Sequence, residues 1–212
     1  MDMKFCLKSY QLVNCSSKAV LDGSKAVRGG IPLVFPQFGP LPIASDMKPL
    51  KQHGFARTAV WTLHSTNNTT EAVLELNSSM IKCEEWPFAF KMLYKVSLEE
   101  DSVLRTEMTI SNESSDSIDF HFLFHTYFAC ENVEHVEISS LTQTPLSIKQ
   151  EIDCIYEAPK SGSLQIANAG EGKVKVLFSN SLADVVVWNP WREKAKAMSD
   201  LGEEQVFLFI MF

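Results

Sequence analysis

The chain has 212 residues, 45% of them hydrophobic, and a formal net charge of -7. That is enough apolar material for one core, and the acidic balance argues against a general nucleic-acid or membrane-surface binder, since both need a basic footprint. The opening MDMKFCLKSY has no continuous apolar segment of the secretory kind, and no apolar run is long enough to span a bilayer. A soluble cytoplasmic protein that binds neither nucleic acid nor membrane is the expectation. Any anionic ligand must then be held by a few placed cations. Five cysteines at irregular spacing, with no CxxC pair, read as reduced thiols, not as a disulfide frame or zinc site. The N-x-S/T matches at Asn14, Asn67, Asn68, Asn77 and Asn112 read as chance matches in polar turns.

In chain order, residues 28–57 come first as a distinct unit. RGGIPLVFPQFGP is dense in Gly and Pro and suits a tight loop whose backbone approaches something closely, and LKQHGFAR continues it. Beyond it the pattern becomes short alternating runs separated by polar turns. Strands are expected over 58–64, 71–76, 90–98, 102–110, the Phe-rich run 119–128, and 174–178. With almost no helical periodicity, this is an all-β chain, a large antiparallel sandwich or barrel, read as a single domain over 1–212.

The run DFHFLFHTYF sets Phe120, Phe122, Phe124, Thr126 and Phe128 on one side of a strand. Asp119, His121, Leu123, His125 and Tyr127 fall on the other. His121 and His125 would then lie about 13 Å apart, too far to share a metal ion. Each needs its own explanation. From pattern alone His125 reads more readily as a histidine satisfied by a backbone carbonyl, and His121 reads as structural.

RGGIPLVFPQFG (28–39), QHGFAR (52–57), FHTYF (124–128) and VVWNPW (186–191) together resemble the glucose-6-phosphate 1-epimerases, or hexose-6-phosphate mutarotases. These belong to the galactose-mutarotase-like sandwiches, and MSDLGEE (198–204) is similar to plant members. The resemblance implies a large antiparallel sandwich, interconversion of the α and β anomers of a hexose 6-phosphate, and no metal or organic cofactor. It implies His125 as general acid, and Arg28, Gln52, Arg57 and Asp153 as substrate-binding residues.

The chemistry suits those residue types. Opening the hemiacetal ring needs one group to take the anomeric hydroxyl proton and another to protonate the ring oxygen. Histidine, with an ordinary pKa near 6.5, can do the second, and a carboxylate the first. Arginine's planar fork engages two oxygens of a phosphate, Gln52 both donates and accepts, and Asp153 accepts from hydroxyls. The plainer alternative for each arginine is a surface ion pair. His53 has a turn role before Gly54 and could also line the site. Trp188, Pro190 and Trp191 read as packing more readily than as a sugar platform. Ser24, Lys25 and Lys160 carry no assignable signal.

The first nineteen residues match the family's opening poorly. Family members resembling this chain lead, near the place of Gln205, into a strand that carries the catalytic carboxylate, whereas here VFLFIMF follows. Glu203 and Glu204 read as turn residues and weak replacements. The expectation is therefore an impaired enzyme incomplete at both ends. Such a chain would be a monomer if complete, and prone to self-association through unpaired edges and the apolar tail Val206 to Phe212. The alternatives are a non-catalytic sugar-phosphate binding module and a protein-interaction sandwich.

Overall fold

A computed structural model describes residues 1–6, 12–40, 48–66, 69–169, 172–179, 181–182, 184–201 and 208–211, with backbone only for 2–6 and 208–211. Gln205, Glu203, Glu204, Val206 and Phe212 lie outside the described residues. The strands are β1 (Asp2–Cys6), β2 (Leu33–Val34), β3 (Thr62–Thr66), β4 (Glu71–Asn77), β5 (Phe90–Glu99), β6 (Val103–Asn112), β7 (Leu123–Phe128), β8 (Glu137–Ser139), β9 (Leu146–Ser147), β10 (Ile152–Glu157), β11 (Ser163–Ala169), β12 (Gly172–Phe178), β13 (Asp184–Asn189) and β14 (Leu208–Met211). One short helix, α1 (Trp191–Lys196), separates the last two. No helix among the described residues is long and apolar enough to cross a membrane. Cys15, Cys83, Cys130 and Cys154 are free thiols.

The fold is an antiparallel β-sandwich. One sheet runs β3-β4-β5-β6-β1-β12-β11-β8-β9, the other β10-β13-β14-β7-β2. Period-two alternation explains the layers. In β5, Phe90, Met92 and Tyr94 are buried while their neighbours are half-exposed. These meet Phe124 and Phe128 of β7, and Val185 and Val187 of β13, in one core cluster. On the outer face of the larger sheet Lys95 pairs with Glu71 at 2.7 Å and Arg105 with Glu107 at 2.9 Å, which keeps that surface polar.

Two expected strands are shorter than the alternation suggests. Residues 55–59 form a turn closed by Thr58 N–H and Ala59 N–H donating to the Phe55 carbonyl, and β3 begins only at Thr62. Residues 119–122 precede β7 because they meet the loop and not a neighbouring strand: His121 N–H donates to the Pro36 carbonyl at 2.7 Å, and the His121 ring accepts from Phe38 N–H at 3.2 Å. His121 therefore has a structural role in holding that loop.

The described residues of 28–57 are irregular apart from β2, and the segment is pinned at both ends. Arg28 to Gly30 pairs with Asn14 to Ser16 through Ser16 N–H to the Arg28 carbonyl at 2.7 Å and Gly30 N–H to the Asn14 carbonyl at 2.8 Å. Near the other end Gly54, at φ 68°, passes so close to Phe35 that any Cβ there would collide with the Phe35 carbonyl. Only glycine fits that crossing.

Phe35, fully buried, anchors the loop, with ring centroids 5.8 Å from Phe55, 5.2 Å from Trp86, 5.4 Å from Phe90 and 5.5 Å from Phe120. Phe35→Ala should cost about 3–5 kcal/mol of stability, read from chemical denaturation, because it empties the centre of an aromatic cluster that joins loop to sandwich. A loss under about 1 kcal/mol would mean that the loop is not held by this packing.

Candidate active site

The smaller sheet buries one face in the sandwich and turns the other toward a cleft. Along β7, alternate positions carry Phe124 and Phe128 inward and His125 and Tyr127 outward. The register then lays out the floor. Asp153, Trp188, Phe209 and Tyr127 are successive partners across four strands, and Met211 is the β14 partner of His125. At roughly 4.8 Å per strand the row from Asp153 to Tyr127 spans about 14 Å.

Loop 28–57 and α1 form the walls. The cleft has a volume of about 410 Å³, and Arg28, Gln52, Arg57, His125 and Asp153 all line it. Five residues singled out from sequence are thus brought together from four separate segments. Phe38 and Trp188 add apolar surface, and Lys194 of α1 adds a cation that pairs with Glu151 at 2.6 Å. A larger trough of about 490 Å³ runs beside it over Leu123, Ile155 and Val186, but no arginine or lysine lines it. We therefore assign the chemistry to the smaller cleft.

His125 is 5% exposed, stacked on Tyr127 at 5.0 Å between centroids and edge-on to His53 at 5.7 Å. Its backbone N–H donates to the Pro32 carbonyl at 2.9 Å, fixing the strand against the loop. Burial, then His53, and more weakly Arg57 and Arg28, push the His125 pKa down to about 3. His53 falls to about 4, through burial and the same two arginines. Gly39 N–H donates to His53 Nδ1 at 3.3 Å, which leaves the proton of the neutral ring on Nε2. Both imidazoles are therefore neutral at pH 7 in the open cleft. The proton that an acid needs must be acquired.

Both arginines are partly withdrawn from solvent. Arg28 Nε donates to Asp200 Oδ2 at 3.0 Å and the side chain also meets the Tyr127 hydroxyl. Burial opposes its charge, but Tyr127 and Asp200 outweigh that and raise its pKa. Arg57 Nη2 donates to the Gln52 carbonyl at 2.5 Å, and its pKa is lowered, first by burial. Burial also raises Tyr127, so its phenol is neutral. Arg28 does make the ion pair that the plainer sequence reading allowed, with Asp200 at a partly buried position, whereas Arg57 bonds a backbone carbonyl.

Sequence reasoning left part of this open. His53, read as a turn residue that could also line the site, does line the cleft and faces His125, and its φ of 66° places it in the left-handed region beside Gly54. A non-glycine residue held there is a recurrent mark of a functional segment. Trp188 lines the cleft, whereas Trp191 packs against the core and opens α1. Asp200 gave no local signal, because it reaches Arg28 across 172 residues of chain.

Comparison with solved structures gives the class: the chain has the mutarotase-like sandwich fold. It superposes on a crystal structure from Salmonella typhimurium provisionally described as a mutarotase with a TM-score of 0.78 at 21% identity, over 94% of this chain and 70% of that one. A protein from Synechocystis matches with a TM-score of 0.70 at 23% identity, over 94% and 73%. The family model for aldose 1-epimerase matches residues 6–149, and the chain belongs to that family.

Among curated relatives, a protein of Cenchrus ciliaris provisionally named a glucose-6-phosphate 1-epimerase is 31% identical over 92% of this chain. One of Haemophilus influenzae with the same provisional name is 24% identical over 85%. The chain spans 65% of the length of each of these two relatives in the matched region.

The histidines make stability depend on pH. Their folded pKa values lie below the ordinary value near 6.5, so the unfolded chain takes up those protons first. The resulting stability is fully present above about pH 6.5 and is lost as pH falls toward 4 and then 3. Melting temperature should hold steady from pH 8 to 7 and drop between about pH 6 and 4, with a shallower drop in His125→Asn. Equal slopes in both proteins would contradict the buried neutral imidazole.

Proposed function

We propose that this chain binds hexose 6-phosphates and belongs to the acid/base machinery that interconverts their α and β anomers. The observation that carries the reading is the convergence of Arg28, Gln52, Arg57, His125 and Asp153 on one cleft. The provisional names of the curated relatives point to the same substrate. Arg28 and Arg57 take the phosphate, while Gln52 and Asp153 bond the sugar hydroxyls. The sugar's apolar face lies against Trp188 and Phe38.

His125 gives a proton to the ring oxygen as the C1 to O5 bond breaks, and takes it back on closure. Its proton arrives with the substrate. A phosphate dianion offsets the two cations that help hold His125 neutral, so binding raises its pKa from the unliganded value, while burial and His53 still hold it down. A cytoplasmic location goes with this reading, since the described thiols are unpaired by disulfides.

The anomeric hydroxyl needs a base, and the sequence of β14, LFIM, carries no carboxylate on the strand next to His125. We infer that turnover by this chain is low. The same observation favours a second reading, a sugar-phosphate binding module that retains the cleft without the chemistry.

Two measurements separate these readings. Calorimetric titration should show glucose 6-phosphate binding that Arg28→Ala or Arg57→Ala weakens by on the order of tenfold or more, with glucose binding little changed. Equal losses for both sugars would remove the phosphate from the arginines. Anomer exchange by NMR should be slow in the parent chain and faster by about 10²-fold in Met211→Glu, with His125→Asn abolishing the gain. Rapid exchange in the parent would mean that a base already lies in the cleft, and loss of that exchange in Asp153→Asn would identify it.

A further inference from the structure

The sheet face that floors the cleft continues beyond it. Two residues along each strand, the row Asp153, Trp188, Phe209, Tyr127 is followed by the row Ile155, Val186, Met211, His125. The rows are about 7 Å apart. His125 ends the second row inside the cleft, while Ile155 and Val186 at its other end lie in the neighbouring trough of about 490 Å³. Leu123, two residues before His125 on β7, lies in the trough with them.

Phe38 joins the two spaces, because it lines both. With Trp188 of the cleft it packs on Val34, Leu123 and Val186, in a cluster separate from the main sandwich core. Ile155 is 62% exposed and adjoins a contiguous apolar lining to which Phe120 and Phe122 contribute. A contiguous lining of this kind marks a binding surface more than a lone exposed residue does.

Charge limits what the trough can take. Among the described residues that line it, Asp184 is the acidic one and none is an arginine or lysine. The amino group of Met1, which also lines it, donates to the Met108 carbonyl at 2.9 Å, and the His121 ring accepts from Phe38 N–H at 3.2 Å. An anion finds no clustered cations there, unlike the arginine side of the cleft. An uncharged apolar group finds a matching surface.

We propose that the trough is a subsite for an uncharged apolar group carried on O1 of a hexose 6-phosphate, so that the chain binds aryl or short alkyl glycoside 6-phosphates. The proposal rests on the reading of the cleft as a hexose 6-phosphate site. In that reading the phosphate lies with Arg28 and Arg57 beside Tyr127, in the first row, and the C1 to O5 bond lies at His125, in the second. A substituent on O1 then follows the second row past Met211 to Val186 and Ile155. Cleft and trough, at about 410 and 490 Å³, each fall in the size range of small-molecule sites. Such a ligand is bound without ring opening, because a glycoside has no anomeric hydroxyl proton to give up. No base is needed to hold it, in keeping with the sequence LFIM on β14.

The test is calorimetric titration of the whole chain with phenyl and methyl glucoside 6-phosphates, each as the α and the β anomer, with glucose 6-phosphate as reference. For the better-bound anomer the phenyl glycoside should bind about tenfold more tightly than the methyl one, the gain from withdrawing roughly 60 Å² of apolar surface from water, with a more negative heat-capacity change. Ile155→Ser, at an exposed position, should remove most of that gain and leave binding of the methyl glycoside and of glucose 6-phosphate unchanged. Val186→Thr keeps the side-chain shape and stands in if thermal melts show the first variant to be unfolded.

A phenyl gain that the substitution removes supports the subsite. Phenyl glycosides that bind no better than methyl ones, or a gain that the substitution leaves intact, overturn it while binding of glucose 6-phosphate keeps the reading of the cleft in place. Failure of glucose 6-phosphate itself to bind removes that reading and the proposal with it.

Discussion

Positive charge partly withdrawn from water beside a buried histidine is the constraint on which the site depends. Arg28 and Arg57 sit in a cleft where burial penalises their charge, and each is stabilised by a different device. Arg28 has a carboxylate and a phenol, while Arg57 bonds a backbone carbonyl five residues before it. Their field, added to burial and to His53, keeps His125 neutral. Cations and imidazole are thereby coupled: a ligand that neutralises the former changes the proton affinity of the latter. On the proposed reading, the groups that take the anion and the group that moves the proton respond to one event.

The fold supplies this arrangement through the strand period of two. One strand, β7, gives Phe124 and Phe128 to the sandwich core and His125 and Tyr127 to the cleft, so the packing that stabilises the smaller sheet also fixes the imidazole. The loop is positioned likewise from below. Phe35 enters the core, and the crossing at Gly54 sets His53 and Arg57 opposite β7. Asn189 closes the last wall, because its buried side chain accepts from Trp191 N–H at 2.8 Å and turns the chain from β13 into α1, which carries Lys194 toward Asp153.

What the sequence revealed follows from how local each signal is. The alternation of Phe-rich and mixed positions in 119–128 separated core from cleft on β7, though it overran the strand by four residues because residues 119–122 are extended without a strand partner. The four motifs led to the residues that converge on the cleft. Short strands such as β8 and β9, with two or three residues each, carry too little pattern to read. Asp200 was illegible because its partner Arg28 lies 172 residues away in the chain. His53 was legible only in part, since its turn geometry concealed that the turn faces His125.

The coupling between the cations and the imidazole is tested most directly by NMR titration of the His125 ring in the unliganded chain and in the presence of glucose or glucose 6-phosphate. The account predicts an imidazole that titrates near 3 without ligand, moves little with glucose, and moves measurably upward with the phosphate ester. An identical titration with and without the phosphate ester would show that the arginines and His125 act independently, and would contradict the account at its centre.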